Sequence, residues 1–310
     1  MRPFKTVVVG VDFSAATEGL LAMATEMAER YDTQRIHLVH VVSTPTSVLP
    51  ALSITPDTAE SVRAKTEQQL AQLEVGDGKV QVTREVRTGA PARELAQAAE
   101  DLHASLLMVA GHGHAMLAEM FLGSVASSLI RVARSPVLIV SGQAPTAQFN
   151  EILAAVDLSP ISRPVLESAF RVGSRNDGRV LVLSLFEHPL LKADNESLLP
   201  RTFKQSDIEA LGEEHRKAVD ELIARVPSHG VKIHVEVMSK APAANAIVDV
   251  AKFTESDLIV LGTSGQGGWH RMILGSTANF VLNRAPCPVL VVPHEVAEEA
   301  PQQAGAAIPV

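Results

Sequence analysis

The chain has one cysteine, Cys287, in 310 residues. A single thiol excludes an intrachain disulfide and any cysteine-built zinc cluster. Its setting, "APCPVLVV", marks it as a small hydrophobe at the start of a buried strand. Aromatic residues are scarce at 4%, so aliphatic side chains must fill the interior. An excess of positive charge is also missing. The formal net charge is −8, with no run of Lys or Arg, which argues against sequence-independent binding to nucleic acid. No apolar run approaches the length of a membrane span, and the opening "MRPFKTVVVGVD" passes straight into a strand with no secretory-type apolar region. The expected location is the cytoplasm, with neither membrane nor nucleic acid as partner.

What is present is a repeat. "TVVVGVDFS" near the start returns as "EILAAVDLS", "IHLVHVV" as "VLVLSLF", "EVRTGAPA" as "EVMSKAPA", and "SPVLIV" as "CPVLVV", in the same order. The chain reads as a tandem duplication, with one unit over 1–141 and a second over 151–294. Between them lies the polar Gly- and Pro-containing stretch "SGQAPTAQFN", read as a linker. Residues 295–310, rich in Ala, Glu, Gln and Pro, read as a tail.

Within each half, short β-branched runs alternate with longer stretches at helical spacing. Such alternation means parallel strands joined by helical crossovers, and strands such as "LIVLG" are apolar on both faces, as a covered sheet requires. The expected fold is α/β: two tandem open five-stranded parallel-sheet domains with helices on both faces. Ligands of such sheets sit at the carboxyl ends of the strands, where the strand order reverses.

"GTSGQGGWHRMILGS", from Gly262 to Ser276, follows a fourth strand and precedes a helix. Glycines let backbone N–H groups converge on an oxyanion, and the free N–H groups of the following helix point the same way. The stretch has no P-loop lysine, and it stands too late in its half for a dinucleotide fingerprint. Asp157, after the first strand of the second half, is placed to bond a ribose hydroxyl or a base amino group, or else to brace its own turn.

The spacing G-x2-G-x9-G-[ST], together with "VDFS", "VDLS", "GAPA", "KAPA" and "APCPVLVV", resembles the universal stress protein family, over nearly the whole chain and twice. The resemblance implies the adenine nucleotide α-hydrolase-like fold and ATP as ligand, with Mg2+. Carried onto the second half, it implies phosphate contacts at Gly262, Gly265, Gly275, Ser276 and Thr277, and an adenosine side at Ala155, Asp157 and Leu185. From the residues themselves, none is an obvious general base for water and nothing resembles a Walker lysine or an arginine finger, so no catalytic residue is assigned. The resemblance also implies that the last strand of each half pairs the halves into a single-chain pseudo-dimer, with further homo-oligomerisation open.

In the first half the matching positions are Asp12, Val41, Gly111, Gly113, Gly123 and Ser124. Aligned on its glycines, "GHGHAMLAEMFLGS" is one residue shorter, and it carries Glu119 while lacking the counterpart of Arg271. Both differences count against ligand there. His40, His112 and His114 lack a nearby acidic or cysteine ligand to complete a metal site. Three functions follow for test: an ATP-binding regulatory stress-response protein, a slow ATPase, and an interaction scaffold that needs no nucleotide.

Overall fold

The computed structural model describes residues 4–43, 56–76, 78–111, 122–141, 146–186, 205–239, 242–263 and 274–294. The first half runs β1 (Thr6–Val11), α1 (Ala16–Tyr31), β2 (Arg35–Ser43), α2 (Pro56–Ala71), β3 (Gln81–Gly89), α3 (Pro91–Asp101), β4 (Leu106–Ala110), α4 (Ser124–Val132) and β5 (Val137–Val140). The second repeats it as β6 (Glu151–Val156), α5 (Ser162–Gly173), β7 (Arg179–Phe186), α6 (Gln205–Ala224), β8 (Lys232–Ser239), α7 (Ala243–Phe253), β9 (Leu258–Gly262), α8 (Ser276–Arg284) and β10 (Val289–Val292).

The ten strands form one sheet in the order β3-β2-β1-β4-β5-β10-β9-β6-β7-β8. Every pairing within a half is parallel. The one antiparallel pairing joins β5 to β10, with Leu138 opposite Leu290 at its centre. This is the seam expected from the repeated "PVLIV" and "PVLVV". All four residues of β5 and all four of β10 are buried, because each strand has a neighbour on both sides and helices above and below. Alternate residues feed opposite cores. Leu138, Val140, Leu290 and Val292 join the layer beneath α1, α2, α5 and α6. Val137, Ile139, Val289 and Val291 join the layer beneath α3, α4, α7 and α8. Each core draws on both halves.

The outer strands β3 and β8 are mostly exposed or half-buried, with Val86 of β3 buried. Charged residues such as Arg84, Glu85, Lys232 and Glu236 stand on them, a pattern that discourages further strands from adding.

The stretch read as a polar linker is partly core. Ala147 and Phe149 are 0% and 1% exposed. The Glu26 carboxylate accepts the Ala147 N–H at 2.8 Å and the Thr146 hydroxyl at 3.0 Å, tying this segment to α1. Across the seam, Asn176 donates to the Tyr31 hydroxyl at 2.7 Å, and Arg175 pairs with Asp32 at 3.3 Å.

Candidate functional site

In each half the strand order reverses between the first and fourth strands. β6 pairs with β9 as far as Ala154 opposite Val260, and β1 with β4 as far as Gly10 opposite Val109. Beyond those pairs the strands part, opening a crevice at their carboxyl ends. In the second half its walls begin at Asp157 on one side and Gly262 on the other.

Asp157 braces its own turn. Its Oδ1 accepts the Ser159 N–H at 3.1 Å, the Ser159 hydroxyl at 2.5 Å and the Ser162 hydroxyl at 3.1 Å. Ser162 Oγ in turn accepts the Asp157 N–H at 3.2 Å. Asp12 makes a sparser version, accepting the Ser14 N–H at 2.9 Å and the Thr17 hydroxyl at 3.4 Å. In both halves the next residue is left-handed, Phe13 at φ 58° and Leu158 at φ 64°. This conformation costs a non-glycine residue about 1–2 kcal/mol. It turns the chain sharply from strand to helix and leaves the aspartate at the strand end.

The carbonyl just before each aspartate is held from the neighbouring strand. Val11 C=O accepts the His40 Nδ1–H at 2.8 Å, and Phe13 packs on the imidazole with ring centroids 4.6 Å apart. In the second half Ser184 takes the place of His40. Its hydroxyl donates to Val156 C=O at 3.0 Å and accepts the His215 Nε2–H at 2.9 Å. A carbonyl can only accept, which assigns the proton positions on both rings. Burial pushes the His215 pKa below its ordinary value. Sequence reasoning missed Ser184 and His215. The visible signal was one serine inside the apolar run "VLVLSLF".

Ala155 and Leu185 lie on the opposite sheet face, half-buried against the layer of α7 and α8. Val41 is buried in the corresponding layer of the first half.

The first-half glycine loop is not short. Thr263 N–H bonds Val292 C=O at 3.1 Å, and Gly111 N–H bonds Val140 C=O at 2.8 Å. Gly275 N–H then bonds Thr263 C=O, and Gly123 N–H bonds Gly111 C=O, each at 2.8 Å. Gly111 therefore matches Thr263, and Ala110 matches Gly262. Gly275 lies twelve residues after Thr263 and Gly123 twelve after Gly111.

The one-residue step lies upstream. Gln81 and Lys232 hold equivalent places opposite Arg35 and Arg179 and are 151 residues apart. Ser105 and Asp257, which bond the carbonyls of Thr6 and Glu151, are 152 apart. The extra residue of the second half falls between β8 and α7.

Gly262 has a packing reason to be glycine. A Cβ there would stand 2.8 Å from both Cγ atoms of Ile161, which is 3% exposed. The first half places Ala110 and Ala16 at these two positions. At Gly111 a Cβ would meet the Ile139 methyl at 3.3 Å and Ser141 Cβ and the Val140 carbonyl oxygen at 3.5 Å, a looser fit than at Gly262.

Helix α8 begins after Gly275 (φ −60°, ψ 149°), with no side chain capping it, and α4 likewise after Gly123. The first-turn N–H groups at Ser276 and Thr277, and at Ser124, keep their capacity to bind an anion. Gly113, Gly265, His112, His114, Glu119, Lys240, Trp269, His270 and Arg271 lie outside the described residues. Among the described residues no group of three or more His, Cys, Asp or Glu could hold a metal ion. No helix among them is long and apolar enough to cross a membrane.

Comparison with known proteins agrees with this duplicated geometry. The universal stress protein family model matches residues 3–141 and again 148–293. The chain belongs to the universal stress protein family. A universal stress protein of Mycolicibacterium smegmatis is 29% identical over 301 residues, covering 92% of this chain and 96% of the relative. One of Mycobacterium tuberculosis is 29% identical over 302 residues, with the same coverage. Among solved structures, a universal stress protein from Archaeoglobus fulgidus superposes with a TM-score of 0.64 at 19% identity, covering 94% of this chain and 96% of that one. This last likeness concerns the fold.

Proposed function

We propose that this universal stress protein is a regulatory ATP-binding protein, with the nucleotide held mainly by the second half. The units are 1–141 and 151–294, with 295–310 as a tail, and the setting is a cytoplasmic stress response. The observation that carries the reading is the meeting, at one topological switch point, of Asp157, the end of β9 and the uncapped start of α8. A triphosphate suits the free first-turn N–H groups of Ser276 and Thr277, with Gly275 turning the chain into the helix and Gly262 and Gly265 lining its approach. Mg2+ would offset the charge of the phosphates. Ala155, Asp157 and Leu185 would border the adenosine. Bound nucleotide would order the stretch from Gly262 to Gly275 and so favour one surface for partners over another.

The experiment is acid extraction of freshly purified protein with chromatographic identification and counting of nucleotide. Equilibrium dialysis of the stripped protein with labelled ATP and magnesium follows. The expected result is one adenine nucleotide per chain, lost in Gly275→Val. No measurable ATP binding by the stripped protein would sink the reading. Phosphate release proportional to protein and absent in Gly275→Val would instead establish a slow ATPase, a role for which no described side chain is an evident base.

Two observations favour the nucleotide-independent scaffold as the second reading. Asp157 Oδ1 is engaged by its own turn, and Gly262 is explained by Ile161. Stress protection that survives in Gly265→Val/Gly275→Val would support it. For the first half, loop length no longer argues against a ligand at Asp12, Val41, Gly111, Gly113, Gly123 and Ser124. What remains is charge, since Glu119 occupies the sequence position of Arg271.

A further inference from the structure

The entrance to the first half's glycine turn is hydrogen-bonded to the last turn of α8 in the other half. Leu122 leads into Gly123 and the start of α4. Its backbone N–H donates at 2.6 Å to Asn283 Oδ1, on the last turn of α8 in the other half. Asn283 is half-buried, and its amide nitrogen donates back to Asn279 C=O at 2.6 Å. That second bond fixes which way the side-chain amide faces, with its oxygen toward Leu122. The pseudo-twofold relation between the halves maps Leu122 onto Leu274 and Asn283 onto Arg131, since α4 and α8 are both nine residues long and start 152 residues apart. A guanidinium has five donors and no acceptor, so Arg131 cannot receive the N–H of Leu274. Symmetry of fold here carries asymmetry of chemistry.

From this we infer that Asn283 is a positioning residue. Through it the second half holds the entrance to the first half's glycine turn, and Arg131, the equivalent residue of the first half, cannot offer the same hold in return. The helix that supplies Asn283 also begins at Gly275 and Ser276. A nine-residue helix moves as a unit, so a ligand that draws in its first turn shifts the acceptor at its last. The state of the second crevice is therefore coupled to that of the first along α8, and linkage makes the coupling equal in both directions through this one bond. This transmission rests on the nucleotide reading of the second half, whereas the brace itself does not.

The test is amide hydrogen exchange resolved by residue in the full chain. Without ligand, Asn283→Leu is expected to speed exchange at Leu122 roughly tenfold, the scale of one lost hydrogen bond. The buried α4 amides of Leu129 and Ile130 should hold their rates, and Asn283→Asp, which keeps an acceptor, should restore Leu122. Arg131→Leu should leave Leu274 unchanged. An unaltered Leu122 in Asn283→Leu, a rise shared by Leu129 and Ile130, or a matching rise at Leu274 in Arg131→Leu would each overturn the inference. With ATP and magnesium, protection at Ser276 and Thr277 should extend to Leu122 in the wild type and stop within α8 in Asn283→Leu. Protection of Leu122 that persists in the variant overturns the transmission. No protection at Ser276 and Thr277 counts against the nucleotide reading alone, because the ligand-free rates decide the brace.

Discussion

A Cβ on Gly262 would lie 2.8 Å from both Cγ atoms of Ile161, closer than packed side chains tolerate. The first half has Ala110 and Ala16 at the two equivalent positions. Gly262→Ala should therefore destabilise the protein by about 1–3 kcal/mol through overpacking. The double variant Gly262→Ala/Ile161→Ala should recover at least about 1 kcal/mol relative to the sum of the singles. Urea denaturation of the four proteins of the cycle measures this. Additive losses would mean that Ile161 is not what keeps a side chain out.

Gly111 offers the contrasting case. It matches Thr263, and the nearest atoms to an added Cβ are Ile139 Cγ2 at 3.3 Å and Ser141 Cβ and the Val140 carbonyl oxygen at 3.5 Å, none as close as the 2.8 Å met at Gly262. Gly111→Thr is expected to cost less than about 1.5 kcal/mol. If the first half took up ATP, that uptake should also survive the change. A loss as large as that of Gly262→Ala would contradict the assignment of Gly111 to the place of Thr263.

Acidification should loosen the second half through His215. Burial lowers its pKa in the folded state, so the unfolded chain takes up the proton first as pH falls. The stability associated with neutral His215 is present above the unfolded value of about 6.5 and is lost as pH falls below it toward the folded pKa. Urea midpoints from about pH 7.5 to 5 should fall less steeply in His215→Gln, since an amide neither titrates nor lacks a donor for Ser184. An unchanged slope would place the acid sensitivity elsewhere.

Cys287 should be inert in the native state. Burial, with a further push from the nearby negative charge of Asp257, raises its thiol pKa to about 12. Almost no thiolate exists near neutral pH, and the thiolate is the reactive species. A disulfide exchange reagent at about pH 8 should label the denatured chain at once and the native chain only on the timescale of opening. Rapid labelling of native protein would show that this end of β10 opens easily.

Much of the architecture was legible in the residues. Runs such as "VLIV" and "LIVLG" are apolar on both faces, and that alone implies strands covered above and below. The repeated order of motifs announced the duplication, and the matching final strands pointed to the seam now seen between Leu138 and Leu290. The site was less legible. Glycines attract the eye in a sequence, so Gly111 was set against Gly262. The hydrogen bonds to Val140 and Val292 set it against Thr263 instead. Phe149 was read as part of a polar connection because its neighbours are polar. It is 1% exposed and belongs to the core layer shared by both halves, a long-range packing that its polar neighbours do not reveal.

The sequence by itself determined the kind of elements, their order and their duplication, because periodicity and turn chemistry are local properties of the chain. It also determined that any nucleotide must be held without a P-loop lysine. The tertiary structure alone decided the register between the halves. An extra residue between β8 and α7 shifts all later numbering by one, and only pairing between strands shows where the shift occurred. It alone joined Ser184 to His215 and Leu122 to Asn283, across 31 and 161 residues of chain. Such partners leave no periodic trace, because their meeting depends on how the helices pack on one shared sheet.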